Sequence, residues 1–117
     1  MNGIKLISTG SAVPKKVVTN DDLAKIVDTN DEWITTRVGI KERRILKGEG
    51  TGSSDLGVKA VAELLKKTGV KPSEVDLLIC ATSNPDYRFP STASIVLEKL
   101  GIKTAYGYDI QAACAGF

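Results

Sequence analysis

The residues best equipped for chemistry are the last nine, Asp109-Ile110-Gln111-Ala112-Ala113-Cys114-Ala115-Gly116-Phe117. They read as the end of a strand, over residues 105–110, followed by small side chains closing around one cysteine. Small neighbours let the backbone turn sharply and let a substrate come close to the sulfur. A cysteine that opens a helix is also a better nucleophile, because unpaired N–H groups and the positive helix end favour the thiolate. The alternative is a structural cysteine, since free cysteines are among the most buried residues. The nine residues alone leave both readings open. Histidine is absent from all 117 residues, so cysteine chemistry that needs an imidazole partner cannot be completed within them.

A second set lies far upstream. Trp33 stands four residues before Arg37, so on a helix both face one way. An indole beside a guanidinium is a platform for a nucleobase with its phosphate. Residues 37–47 carry five basic side chains (Arg37, Lys41, Arg43, Arg44, Lys47) against one acid, Glu42. Such a run is either a solvated basic surface, the usual case, or an anion site. Residues 48–52, Gly-Glu-Gly-Thr-Gly, form a flexible connection. It lacks the Gly-Lys-Ser/Thr ending of a phosphate loop and holds an acid at its centre, which argues against nucleotide binding there.

The elements that must position these residues follow from local signals. Residues 4–7 are a short apolar strand. Thr19-Asn20-Asp21-Asp22 offers a cap and first-turn acids for a helix through about Val27, and Asp28-Thr29-Asn30-Asp31 repeats the signal for a helix carrying Trp33 that Gly39 ends. Ser53-Ser54-Asp55 starts a longer helix to about Lys67, with Ala60, Val61, Leu64 and Leu65 as its apolar stripe and Gly69 as its stop. Residues 75–82 are almost continuously apolar, as in a parallel strand covered on both faces, which places Cys80 in the core. Ser91 caps a helix to Leu100 whose stripe is Ala93, Val96, Leu97 and Leu100, and Gly101 ends it. Strands alternating with helices give an α/β layered fold with right-handed crossovers.

Bulk properties narrow the function classes. A net charge of +2, from 16 basic and 14 acidic residues, argues against a nucleic-acid or membrane-surface protein. No apolar run reaches the roughly 18–20 residues of a membrane span, and the opening residues do not read as a signal peptide. Two distant cysteines without CxxC spacing suggest reduced thiols in a cytoplasm, and neither a disulfide framework nor a zinc site.

Residues 28–43, Asp-Thr-Asn-Asp-Glu-Trp-Ile-Thr-Thr-Arg-Val-Gly-Ile-Lys-Glu-Arg, strongly resemble the DTxDEWIxxRTGIxxR signature of the beta-ketoacyl-ACP synthase III family. Residues 112–117, Ala-Ala-Cys-Ala-Gly-Phe, match that family's nucleophile segment. Phe89-Pro90-Ser91 matches its loop before the next helix, and Thr9-Gly10-Ser11 with Pro14 fits its opening. The resemblance spans the chain in one register. It implies a thiolase-like layered α/β fold in a homodimer, with residues 1–117 as the first part of the N-terminal half. The implied chemistry is acyl transfer from acyl-CoA to Cys114, then decarboxylative condensation with malonyl-ACP to give a beta-ketoacyl-ACP. It implies no cofactor, acyl-CoA serving as substrate, and no metal.

The resemblance also assigns roles. Cys114 is the implied nucleophile, with its own backbone N–H helping to stabilise the oxyanion. Trp33 is implied to stack on the CoA adenine, with Arg37 facing the same nucleotide end and Thr29 beside them. Phe89 is implied to cross the dimer interface and help close the partner's acyl pocket, and Arg43, Arg44 and Lys47 to meet the acidic carrier protein. Val38 departs from the family's common threonine. The family's histidine and asparagine belong to a C-terminal half outside these residues. The strand–cysteine unit stops three residues past Cys114, so the chain is expected to be part of a larger polypeptide, inactive in condensation and unstable by itself. Competing expectations are another thiolase-fold condensing enzyme, of the hydroxymethylglutaryl-CoA synthase or polyketide type, and a non-catalytic CoA-binding or dimerisation fragment. Acyl-chain preference is not legible.

Overall fold

The computed structural model describes residues 3–48 and 51–117. The centre of the glycine-rich connection, residues 49 and 50, lies outside the described residues. The chain divides into two compact units, Val13–Gly50 and Met1–Ala12 with Thr51–Phe117.

The Val13–Gly50 unit is a hairpin-like pair of strands enclosing two helices. Strand β1 (Lys16–Thr19) runs straight into helix α1 (Asn20–Ala24), and α2 (Asp31–Val38) precedes strand β2 (Glu42–Ile45). β1 and β2 pair antiparallel, with Lys16 opposite Ile45 and Thr19 opposite Glu42. Thr19 caps α1 through a reciprocal box: its Oγ1 accepts from the N–H of Asp22, whose carboxylate accepts from the N–H of Thr19. The helix ends at Ala24, short of the expected Val27. Asn30 caps α2 by accepting the Trp33 N–H at 2.7 Å, and Gly39 closes it in the left-handed region at φ 70°. The two strands are additions to the sequence expectation. Their alternation is visible in β2, where Arg43 and Ile45 are half-buried and Glu42 and Arg44 exposed.

In the second unit, helix α3 (Ser53–Thr68) leads through a 3₁₀ turn at Pro72–Glu74 to strand β3 (Leu77–Ala81), then α4 (Thr92–Lys99) and β4 (Tyr106–Ile110). β3 and β4 pair in parallel with α4 as the crossover, Leu77 opposite Tyr106 and Ala81 opposite Ile110. α4 supplies most of the core: Ala93, Val96 and Leu97 are buried, with Ile102 just beyond it. Gly107 is where this helix meets the sheet, since a Cβ there would lie 2.8 Å from Leu97 Cδ1.

Two expectations need correction. Residues 4–7 form no strand: they find no ladder partner among the described residues, and Ile4, Leu6 and Ile7 stay exposed. A strand is defined by its neighbour, and here residues 9–11 are held by α3 instead. The Ser11 N–H donates to Glu63 Oε2 at 2.6 Å, and Gly10 lies against Ala60 and Leu64. β3 is also not covered on both faces. Leu78 and Cys80 are half-buried on the α4 side, while Leu77 and Ile79 on the other are about half exposed, 49% and 48%. Cys80 is accordingly half-buried and not a core residue.

Candidate active site

Cys114 lies four residues past the end of β4, on a single 3₁₀ turn spanning Ala113–Gly116. The Thr82 N–H donates to the Ile110 carbonyl at 3.0 Å, extending the sheet one step, and the Ala115 N–H donates to the Ala112 carbonyl at 2.9 Å. Between these bonds Ala113 takes φ 46°. A side chain in the left-handed region costs about 1 kcal/mol, so the turn stores strain one residue before the cysteine. Gly116 packs where a Cβ would sit 3.0 Å from Ala81 Cβ, which ties the turn to the end of β3. Cys114 itself is exposed. The expected helix around it is one tight turn.

What fixes the strand beneath the turn is Asp109. Its carboxylate reaches the start of α4 and accepts the N–H groups of Thr92 at 2.7 Å and Ala93 at 2.8 Å. Ser91 adds its own cap by accepting the Ser94 N–H at 3.1 Å. The remaining thiol, Cys80, sits opposite Asp109 in the parallel register. Burial pushes its thiol up from the ordinary range, and the Asp109 and Asp86 carboxylates push it further, making it the poorer nucleophile.

Phe89 lies on the loop between β3 and α4, 89% exposed. That loop is fastened to α3: the Asp86 carboxylate accepts the Ser54 N–H at 3.2 Å, and Ser53 Oγ donates to the Asn84 carbonyl at 2.9 Å. Gly52 leaves the room for Asp86, since a Cβ there would collide with its carboxylate.

In the other unit the expected pairing of Trp33 with Arg37 is present. The Arg37 guanidinium carbon lies 4.3 Å from the centroid of the indole, a cation–π contact of about 0.5–1 kcal/mol at an exposed site. Both side chains line a shallow pocket of about 250 Å³ with Asn30, Glu32 and Thr36. The indole is 53% exposed and so retains a face for a ligand. Thr29 is half-buried just ahead of the Asn30 cap and does not line this pocket. The basic run divides. Arg43 turns inward, donating to the Val18 carbonyl at 3.1 Å and to Asn20 Oδ1 at 2.8 Å, and Lys41 pairs with Asp31 at 2.9 Å. Arg44 pairs with Glu42 at 3.6 Å, and Lys47 is exposed.

No family model matches the chain. Individual proteins do. The chain is 55% identical over 112 residues to a beta-ketoacyl-[acyl-carrier-protein] synthase III of Bacteroides thetaiotaomicron, a match covering 96% of this chain and 33% of that protein. It is 55% identical over 117 residues to the synthase III of Clostridium acetobutylicum, covering 100% of this chain and 35% of the relative. The chain is a relative of the beta-ketoacyl-ACP synthases III. The crystal structure of 3-oxoacyl-[acyl-carrier-protein] synthase III from Aquifex aeolicus superposes with a TM-score of 0.92 at 52% identity, covering 98% of this chain and 37% of that one. The fold is thus part of the thiolase-like fold of the synthases III, and the chain spans about a third of the relatives it matches. No helix among the described residues is long and apolar enough to cross a membrane, and among them no cluster of His, Cys, Asp and Glu could hold a metal ion.

Proposed function

We propose that this chain carries the acyl-accepting cysteine and a nucleotide-recognition pair of a beta-ketoacyl-ACP synthase III, the condensing enzyme that initiates fatty acid synthesis. The observation that carries the reading is Cys114, exposed on a strained turn in a chain 55% identical to synthases III. The Cys114 thiolate attacks the thioester carbonyl of acyl-CoA, the tetrahedral oxyanion collapses, and CoA leaves as its thiolate. Malonyl-ACP then loses carbon dioxide, and the resulting carbanion attacks the acyl-cysteine. Cys114 departs as thiolate, giving beta-ketoacyl-ACP. The second half-reaction draws on groups outside these 117 residues, which hold no histidine.

Trp33 and Arg37 take the adenine and phosphate end of CoA in this reading, Thr29 stands ahead of the helix cap outside their pocket, and Phe89 closes an acyl pocket across a homodimer. The partners are acyl-CoA and malonyl-ACP, in the cytoplasm, with neither a resident cofactor nor a metal. The carrier-protein contact falls to Arg44 and Lys47, because Arg43 is committed inside its own unit. The test is the intact mass of the protein after incubation with acetyl-CoA, followed by peptide mapping. One acetyl group on Cys114, absent in Cys114→Ala, is the expected result. A folded chain that gains no label at Cys114 overturns the acyl-accepting role.

A further inference from the structure

We propose that Asn20 is the positioning residue of the nucleotide-recognition pair, its buried carboxamide setting the placement of the helix that carries Trp33 and Arg37. The inference rests on the nucleotide-binding reading of that pair. Asn20 is 2% exposed, the most buried polar residue among the described residues of the Val13–Gly50 unit. Its Nδ2 donates to Asp31 Oδ1 at 2.6 Å and to the Ile40 carbonyl at 2.8 Å. Asp31 is the first residue of α2, and Ile40 is the residue after its Gly39 cap. One amide nitrogen therefore holds both ends of the helix.

The other half of the carboxamide faces the strands. Asn20 Oδ1 accepts from Arg43 Nη2, and Arg43 Nη1 bonds the Val18 carbonyl on β1. The backbone N–H of Asn20 donates to the Lys41 carbonyl at 3.3 Å. Only an amide offers two donors and an acceptor in this arrangement. A carboxylate cannot donate and an aliphatic side chain can do neither.

Packing alone leaves the rotation of α2 weakly defined, because Ile34 is the one buried side chain it contributes. Rotation about the helix axis is the coordinate that aims Trp33 and Arg37, and a binding pair has to be held within about 0.5 Å and 10–20° of its working geometry. Asp31 passes the constraint inward, since it also accepts the Thr35 hydroxyl at 3.2 Å and lies two residues before Trp33. The hydrogen bond from Asn20, ahead of the one from Lys41, holds the Asp31 carboxyl below its usual range.

Trp33 is the one tryptophan of the chain, so its fluorescence reports this site directly. The probe is adenosine 3′,5′-bisphosphate, the nucleotide end of CoA, titrated into wild type, Asn20→Asp, Arg43→Lys and the reciprocal pair Asn20→Asp/Asp31→Asn, each with a thermal melt. Asn20→Asp keeps the shape and the contact with Arg43 but loses both donations. The expected result is an affinity roughly tenfold weaker in the folded protein, the loss of a charge-assisted hydrogen bond, with part of it recovered in the reciprocal variant. A purely structural role would lower the melting temperature and leave the affinity of the folded fraction alone. Absence of quenching in wild type removes the nucleotide site itself, and this inference with it. Quenching by wild type with both single variants within twofold leaves the nucleotide site standing and overturns the role of Asn20. If Asn20→Asp does not fold, Arg43→Lys decides by the same twofold limit.

Discussion

Replacing Asp109 with alanine should loosen α4 before it disturbs anything else. The carboxylate accepts two backbone N–H groups, from Thr92 at 2.7 Å and Ala93 at 2.8 Å, and these residues are 1% and 0% exposed. Water cannot easily replace the lost acceptor, so both donors become buried and unpaired. Each such group costs about 1–3 kcal/mol, and loss of a cap in general about 0.5–2 kcal/mol. The Ser91 cap still serves Ser94, which keeps the total toward the lower end, about 2–4 kcal/mol. Amide hydrogen exchange is the suitable assay, because it reads α4 locally and does not require one cooperative transition. Exchange of the amides of buried Val96 and Leu97 should accelerate roughly 30- to 900-fold, the same energy expressed as a ratio. Asp109→Asn retains one acceptor and should show about half the energetic effect. If Asp109→Ala leaves these rates within twofold of wild type, the carboxylate is not what holds the helix to the sheet.

Three further outcomes follow from named contacts. Asp22 is lowered to about 2, first by its bond with Lys25 and then by Thr19, and Asp31 is lowered by Asn20 and Lys41. Carboxyls lowered in the folded state contribute stability above their unfolded value near 4, and lose it as the pH falls through the folded value. Trp33 emission should thus be flat from pH 7 to about 4 and shift below it; a shift confined to neutral pH would contradict the assignment. Gly107→Ala forces a methyl to 2.8 Å from Leu97 Cδ1 and should cost about 1–3 kcal/mol in urea denaturation, whereas a neutral result would mean that α4 can shift. Cys114, exposed, should be alkylated by iodoacetamide at least about tenfold faster than half-buried Cys80, and equal labelling would refute the distinction.

Helix boundaries, the end of α1 excepted, were legible because their signals are local. Asn30 and Ser91 bond the amide three residues on, and Gly39, Gly69 and Gly101 end helices in the left-handed region. The Trp33–Arg37 contact was legible for the same reason, a four-residue helical spacing, and so was the tight turn at Cys114, a run of small residues. The polar groups that aim these side chains were not. Asn20 was visible only as part of a cap signal, yet its amide meets Asp31 and Ile40, 11 and 20 residues away. Asp109 caps a helix that begins 17 residues earlier, and Asp86 reaches back 32 residues to Ser54. No periodicity encodes such partners. β1 and β2 were hidden for a related reason, since the alternation of Glu42-Arg43-Arg44-Ile45 is masked by three consecutive charges.

Arg43 shows how a surface reading fails when chemistry is inferred from type alone. In sequence it belongs to a basic run, and a guanidinium in a basic run suggests an anion. In the fold it sits on the inward face of a four-residue strand, where Lys41 and Arg44 have acidic neighbours and Arg43 has carbonyl and amide oxygens. Its two donating nitrogens meet Val18 and Asn20, so its charge is engaged within its own unit. A planar fork suits this task in a way that an ammonium does not. The charge that remains available beside Trp33 is Arg37, and its position follows from the helix that Asn20, Asp31 and Arg43 hold. If Trp33 and Arg37 bind a nucleotide as proposed, neutralising Arg37 and shortening the reach of Arg43 should both weaken that binding, the first by removing a contact and the second by misaiming it.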